Sequence, residues 1–144
     1  DAMYKIILVP VDIDQESSWA SAFPVAIEYN KAFGAELHAL TVLPDFGTGL
    51  VGGYFPPGFM EKAQTETVQR LGKLIDDQVP ADIKVACHVA QGTIYQEILD
   101  TVHEIGADLV IMASHRPALK DYLLGPNAAQ VVRHADVSVL VVRD

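Results

Sequence analysis

Short apolar runs that alternate with longer stretches of helical period predict an α/β fold: a three-layer, doubly wound, five-stranded parallel sheet with helices on both faces. Two further observations agree. The runs are apolar on both faces, as strands covered from two sides must be, and a chain of 144 residues, half of them hydrophobic, can fill one such core but not two. The expected unit is a single domain over residues 3–143, with Asp1 and Ala2, ahead of Met3, read as an expression scar.

The first strand runs from Tyr4 to Val11 and is rich in Ile, Leu and Val. Ser17 and Ser18 offer N-caps for a helix carrying Trp19, Ala22, Phe23, Ala26, Ile27 and Phe33, with Gly34 as its stop. Pro24 removes a backbone donor and crowds the carbonyl of Ala20, so this helix must bend or begin late. Leu37 to Leu43 is the second strand. The segment 44–59 is rich in Gly, Pro and aromatic residues, and its Leu50, Val51, Tyr54, Phe55 and Phe59 are too apolar for a solvated loop. It is expected to cover a ligand, a second copy of the chain or a protein partner. Met60, Ala63, Thr67, Leu71, Leu74 and Ile75 recur at steps of three or four and mark the second helix. Ile83 to Val89 is the third strand. Gly92 and Thr93 open the third helix, where Thr93 and Gln96 have capping-box spacing and Gly106 is the stop. Leu109 to Met112 is the fourth strand, Gly125-Pro126 starts a helix through Ala128, Val131 and Val132, and Val137 to Val142 is the fifth strand.

A formal net charge of -9 opposes a nucleic-acid backbone or an anionic lipid surface, so neither is expected as a partner. No apolar run approaches the roughly 20 residues that span a bilayer, and the first residues lack the zones of a signal peptide. Cys87 is the single cysteine and sits between apolar neighbours, which points to a buried thiol and a reducing compartment, the cytoplasm. His38, His88, His103, His115 and His134 are scattered, with no pair four apart on one helix, so no metal site is expected.

In open parallel sheets ligands bind outside the carboxyl ends of the strands, where strand order reverses. Three loops there carry chemistry: Pro10-Val11-Asp12, Thr41-Val42, and the long loop from Met112 to Asn127. Pro126 suits a first helical position, since its missing N–H would be unpaired there, and it biases Gly125 toward an extended N-cap. The N–H groups from Asn127 and Ala128 onward then favour an anion such as phosphate. Ser114, His115, Arg116 and Lys120 add hydroxyl, imidazole and cationic groups, and Arg116 can fork onto phosphate oxygens. Taken alone, these residues leave open an ordinary loop end with solvated charges. Asp12 is equally open between a ligand contact and a cap on its own turn, a role Asp14 or Ser17 would also suit.

Ile6-Ile7-Leu8-Val9-Pro10-Val11-Asp12, Ala35-Glu36-Leu37-His38, Thr41-Val42, Val110 to Pro117, Tyr122-Leu123-Leu124-Gly125 and Ser138 to Arg143 together resemble the universal stress protein family, over nearly the whole chain. The phrasing is most similar to its small single-domain enterobacterial members. The resemblance implies strand order 3-2-1-4-5, of the adenine nucleotide alpha hydrolase type, and bound ATP, with ADP or AMP as alternatives and Mg2+ as a companion ion. It implies that Pro10, Val11, Asp12, Val42 and Met112 surround base and ribose, and that Ala113, Arg116, Gly125, Asn127 and Ala128 face the phosphates; Ser114 and His115 of the same loop are added as candidate contacts on their own chemistry. Nucleotide-binding members resemble one another in Gly-x-x-Gly, a spacer of about nine residues, and Gly-Ser or Gly-Thr, the glycines letting backbone approach phosphate. Here Ala113 and Arg116 replace the leading glycines, the spacer is one residue shorter, and Pro126 replaces the hydroxyl residue.

Enzyme readings lack parts. No glycine follows strand one in Asp12-Ile13-Asp14-Gln15-Glu16, against a dinucleotide dehydrogenase. A phosphorelay receiver needs an acceptor aspartate ending strand three and a lysine ending strand five, and Val89-Ala90 and Val142-Arg143 supply neither. Ser114 and His115 are chain neighbours that need not face each other, so a hydrolase is not expected. The expectation is a non-enzymatic, nucleotide-binding stress regulator; the competing reading is a nucleotide-free interaction module acting through segment 44–59 on an unidentified protein partner. If strand five is at the sheet edge, Val139-Leu140-Val141-Val142 leaves open backbone groups that a homodimer would cover.

Overall fold

The computed structural model describes residues 3–43, 57–114 and 125–143. Five strands, β1 (Ile6–Pro10), β2 (Glu36–Leu43), β3 (Val85–Gln91), β4 (Leu109–Ala113) and β5 (Ser138–Val142), form one parallel sheet in the order β3-β2-β1-β4-β5. Helices α1 (Ala22–Phe33), α2 (Phe59–Gln78), α3 (Ile94–Ile105) and α4 (Pro126–His134) cover it. Both the fold class and the strand order expected above are observed.

Alternation along the strands builds two cores. Ile7, Val9, Leu37, Ala39, Leu109 and Ile111 point to one face, where they meet Phe23, Ala26 and Ile27 of α1 and Leu71, Leu74 and Ile75 of α2. Leu8, Leu40, Val110 and Met112 point to the other, against Ile98 and Val102 of α3 and Ala128 and Val131 of α4. That is why β1 and β4 show no polar alternation: neither face meets water. Asp108 pins the start of β1 beside β4, its carboxylate accepting the N–H groups of Lys5 at 2.9 Å and Ile6 at 3.1 Å.

Several boundaries differ from expectation. Helix α1 begins late, at Ala22, with Ser21 before it; Ser17 and Ser18 lie in a short 3-10 turn, Glu16–Ser18, and Trp19 precedes the helix. Pro24 thereby falls in the first turn, where a missing N–H costs nothing, and no bend is required. Thr93 is the N-cap of α3, but its side chain makes no capping bond, and Gln96 donates instead to Asp100 Oδ1 at 3.1 Å. Strand β3 starts two residues after Ile83, because the chain is still turning there, with the Ile83 N–H on the Pro80 carbonyl at 3.0 Å. Gly34 and Gly106 end α1 and α3 in left-handed conformations, φ 69° and 71°, as their positions after the last apolar residue predict. Cys87 is exposed rather than buried: β3 is an edge strand, and Ala86 beside it is exposed too. The thiol is nonetheless not activated, since partial burial and then the Asp76 carboxylate push its pKa up.

Candidate functional site

The order β3-β2-β1-β4-β5 reverses between β1 and β4, and there the sheet is split. Strand β1 pairs with β4 only through Ile7 with Leu109 and Leu8 with Val110, whereas β4 continues along β5 to Ala113. Pro10 gives the reason. The Val11 N–H points to β2, onto the Leu40 carbonyl, and the Ile6 carbonyl points to β4, accepting from Asp108, so alternate residues of β1 address alternate neighbours. Pro10 has the parity of Ile6, and its missing N–H is the one that would have bonded β4. Beyond Leu8 the two strands part.

The gap opens into a crevice of about 710 Å³ at the carboxyl ends of the strands. Nine of the twelve candidate nucleotide contacts line it: Pro10, Val11, Asp12, Val42, Met112, Ala113, Gly125, Asn127 and Ala128. Ser114 does not line it, and its N–H is spent on the Val142 carbonyl at 2.8 Å, because β4 has by then turned to follow β5. His115 and Arg116, and residues 44–56 of the apolar segment, lie outside the described residues. Gly125 has the extended N-cap geometry expected before Pro126, with φ -68° and ψ 163°, and Pro126 opens α4. The N–H groups of Asn127 and Ala128 therefore have no acceptor within the helix and stand at the crevice wall.

Asp12 combines its two readings. One carboxylate oxygen accepts the Asp14 N–H at 3.1 Å, an Asx turn, while its backbone is tied to Ser18 Oγ on both sides at 2.8 Å. The turn fixes where the carboxylate stands, and the residue still lines the crevice.

Sequence reasoning missed the contribution of α2 and the opening of α3. Thr67 and Arg70 of α2, and Gly92, Thr93 and Ile94 at the start of α3, complete the wall. The Arg70 guanidinium is hydrogen-bonded to Asp14 Oδ1. Thr67 is buried and its hydroxyl donates to the Ala63 carbonyl at 2.7 Å. Glu97 packs beneath Gly92, and burial, then Asp100 and Glu104, raise its pKa.

A second cluster was hidden by its spacing along the chain. Register brings His38 of β2 and His88 of β3 to one face, with His38 Nδ1 2.8 Å from His88 Nε2, rings stacked at 5.1 Å, and His38 Nε2 3.3 Å from Glu36 Oε2. Neither histidine lines the crevice, and among the described residues no group of three metal-ligating side chains could hold an ion. Burial and then His38 lower the His88 pKa, with Glu104 opposing. A histidine harder to protonate when folded than when unfolded leaves stability intact above the unfolded value of 6.5 and lowers it as pH falls through that value toward the folded one. Chemical denaturation between pH 7.5 and 5 is expected to show this decline in the wild type and a shallower one in His88→Gln; equal slopes would refute the assignment.

The model of the universal stress protein family matches residues 3–143. Universal stress protein G of Shigella flexneri is 32% identical over 143 residues, covering 98% of this chain and 100% of that protein. The solved universal stress protein UspA from Lactobacillus plantarum has a TM-score of 0.74 at 23% identity, over 99% of this chain and 100% of that one. The universal stress protein from Archaeoglobus fulgidus, solved in complex with dAMP, has a TM-score of 0.65 at 18% identity, over 96% and 98%. Among the described residues no helix is long and apolar enough to cross a membrane.

Proposed function

The chain belongs to the universal stress protein family, and from that premise we propose that it is a cytoplasmic stress-response regulator that binds an adenine nucleotide, ATP first, in the crevice between β1 and β4. The observation that carries this reading is the crevice itself: about 710 Å³, placed where strand order reverses and walled by the open N–H end of α4. That volume suits a mononucleotide. Pro10, Val11, Asp12, Val42 and Met112 would surround base and ribose, the apolar members giving the base a flat contact and Asp12 accepting from a sugar hydroxyl or the amino group. Ala113, Gly125, Asn127 and Ala128 would face the phosphates. Mg2+ would enter with the nucleotide, held largely by its phosphates, since it keeps few protein ligands and Asp12 and Asp14 are the carboxylates among the described residues of this wall. The dAMP complex of the Archaeoglobus protein is support at the level of the fold.

Binding rather than turnover fits the wall chemistry. The hydroxyls of Ser18 and Thr67 donate to backbone carbonyls, not to a base that could activate them. A homodimer through β5 is part of the same proposal, because β5 is an edge of the sheet and Val139, Leu140, Val141 and Val142 are only half-buried. Native mass spectrometry of freshly purified protein tests both parts. The expected species is a pair of chains carrying adenylate. A bare dimer would sink the nucleotide reading, and a loaded monomer would sink the dimer.

A further inference from the structure

Among the described residues of the crevice wall the charges are unbalanced. These residues hold two carboxylates, Asp12 and Asp14, and a single cation, Arg70. An anionic ligand entering past both carboxylates, in a protein of net charge -9, needs a positive partner. Arg70 comes from the middle of α2, between Thr67 and Leu71, whose burial fixes this face of the helix against the sheet. The base of its side chain is therefore held while its guanidinium reaches out to Asp14.

We propose that Arg70 helps to distinguish a phosphorylated ligand from a bare nucleoside, and that Asp14 competes with the ligand phosphate for it. This inference rests on the nucleotide reading of the crevice and adds the group that reads the ligand's charge. The side chains of Arg70 and Asp14 are 54% and 70% exposed, so their pairing is the kind of surface ion pair that contributes little and is exchanged at small cost. A phosphate carries more charge than one carboxylate and offers several oxygens to the planar fork of an arginine. Given both partners, the guanidinium leaves Asp14 for the phosphate. Asp14 then has two roles: it holds Arg70 at the crevice wall and sets the cost that a phosphate must meet to take the guanidinium, a cost a neutral ligand does not meet because it leaves the pair in place.

The test is calorimetric titration of the full chain, first freed of any bound nucleotide by unfolding, desalting and refolding, with ATP, AMP and adenosine, for wild type, Arg70→Gln, Arg70→Lys and Asp14→Asn. Arg70→Gln is expected to weaken ATP and AMP by about 10- to 100-fold, the range for a lost charge-assisted hydrogen bond, and adenosine by less than about twofold. Arg70→Lys keeps the charge without the fork and falls between. Asp14→Asn removes the competitor and is expected to tighten ATP by about threefold or more. Equal losses for ATP and adenosine, or no loss for ATP, would overturn the role of Arg70 and leave the nucleotide reading standing. A wild type that takes up none of the three ligands would overturn the nucleotide reading, and this inference with it.

Discussion

Asn127→Asp weakens ATP binding about a hundredfold while the melting temperature stays level or rises slightly: that divergence is the expected result. Asn127 is the second residue of α4, half-buried at the crevice wall, and aspartate has nearly its shape. A carboxylate in the first turn of a helix meets the positive end of the macrodipole and gains about 0.3–1 kcal/mol. The same charge about 5 Å from a phosphate, at an effective dielectric constant near 20, is repelled by roughly 3 kcal/mol, and screening trims this toward a factor of a hundred. Most mutations that weaken binding by disturbing a site also weaken the fold; here the two must move apart. Asn127→Ala, which adds no charge, should change affinity by only a fewfold. If Asn127→Asp binds ATP as the wild type does, the phosphates do not lie at this helix end.

The fold was legible in the chain because its periods change sharply. Val110-Ile111-Met112 is apolar at every position, which only a strand covered on both faces can be, while Leu71, Leu74 and Ile75 step around one side of a helix. The errors fall where a local signal competes with a tertiary one. Ser17 and Ser18 look like caps, yet Ser18 is drawn into the turn after β1 through Asp12 and Gln15, and the helix waits for Ala22. Thr93 and Gln96 have the spacing of a capping box, but Gln96 finds Asp100 one turn on, and its reach back is lost. Cys87 has apolar neighbours, but only strand order reveals that β3 is an edge.

The site was legible in its floor and not in its far wall. The residues at the ends of β1, β2 and β4 follow from the rule that parallel strands present ligands at their carboxyl ends, and they are where that rule puts them. Arg70 could not be read the same way. A charged residue at a helical step from Thr67 looks like part of a solvated stripe until the pairing of α2 with the β1 loop is known. The pair His38 and His88 needs the register of β2 against β3, since fifty residues separate them in the chain. Pro10, singled out as a ligand contact, carries a second signal: a proline ending a central strand announces where the ladder must open.

Leu71→Ala should be the most damaging of the simple core truncations, costing about 3–5 kcal/mol out of a total of roughly 5–15. Leu71 is fully buried between α2 and the sheet, so its loss leaves a sealed apolar void that neither water nor neighbouring side chains fill cheaply. Ile98 is almost as buried, at 1%, but lines the crevice, so truncation there enlarges a space already open to solvent. The transfer term is lost in both; the sealed-cavity term is lost only in the first. Denaturant midpoints should therefore place Leu71→Ala below Ile98→Ala by an amount worth about 1–2 kcal/mol. The reverse order would mean that the crevice floor is closed off. Because Leu71 neighbours Arg70 in α2, its loss also loosens the backbone that aims the guanidinium, and affinity for ATP should fall further than affinity for adenosine in the fraction that remains folded.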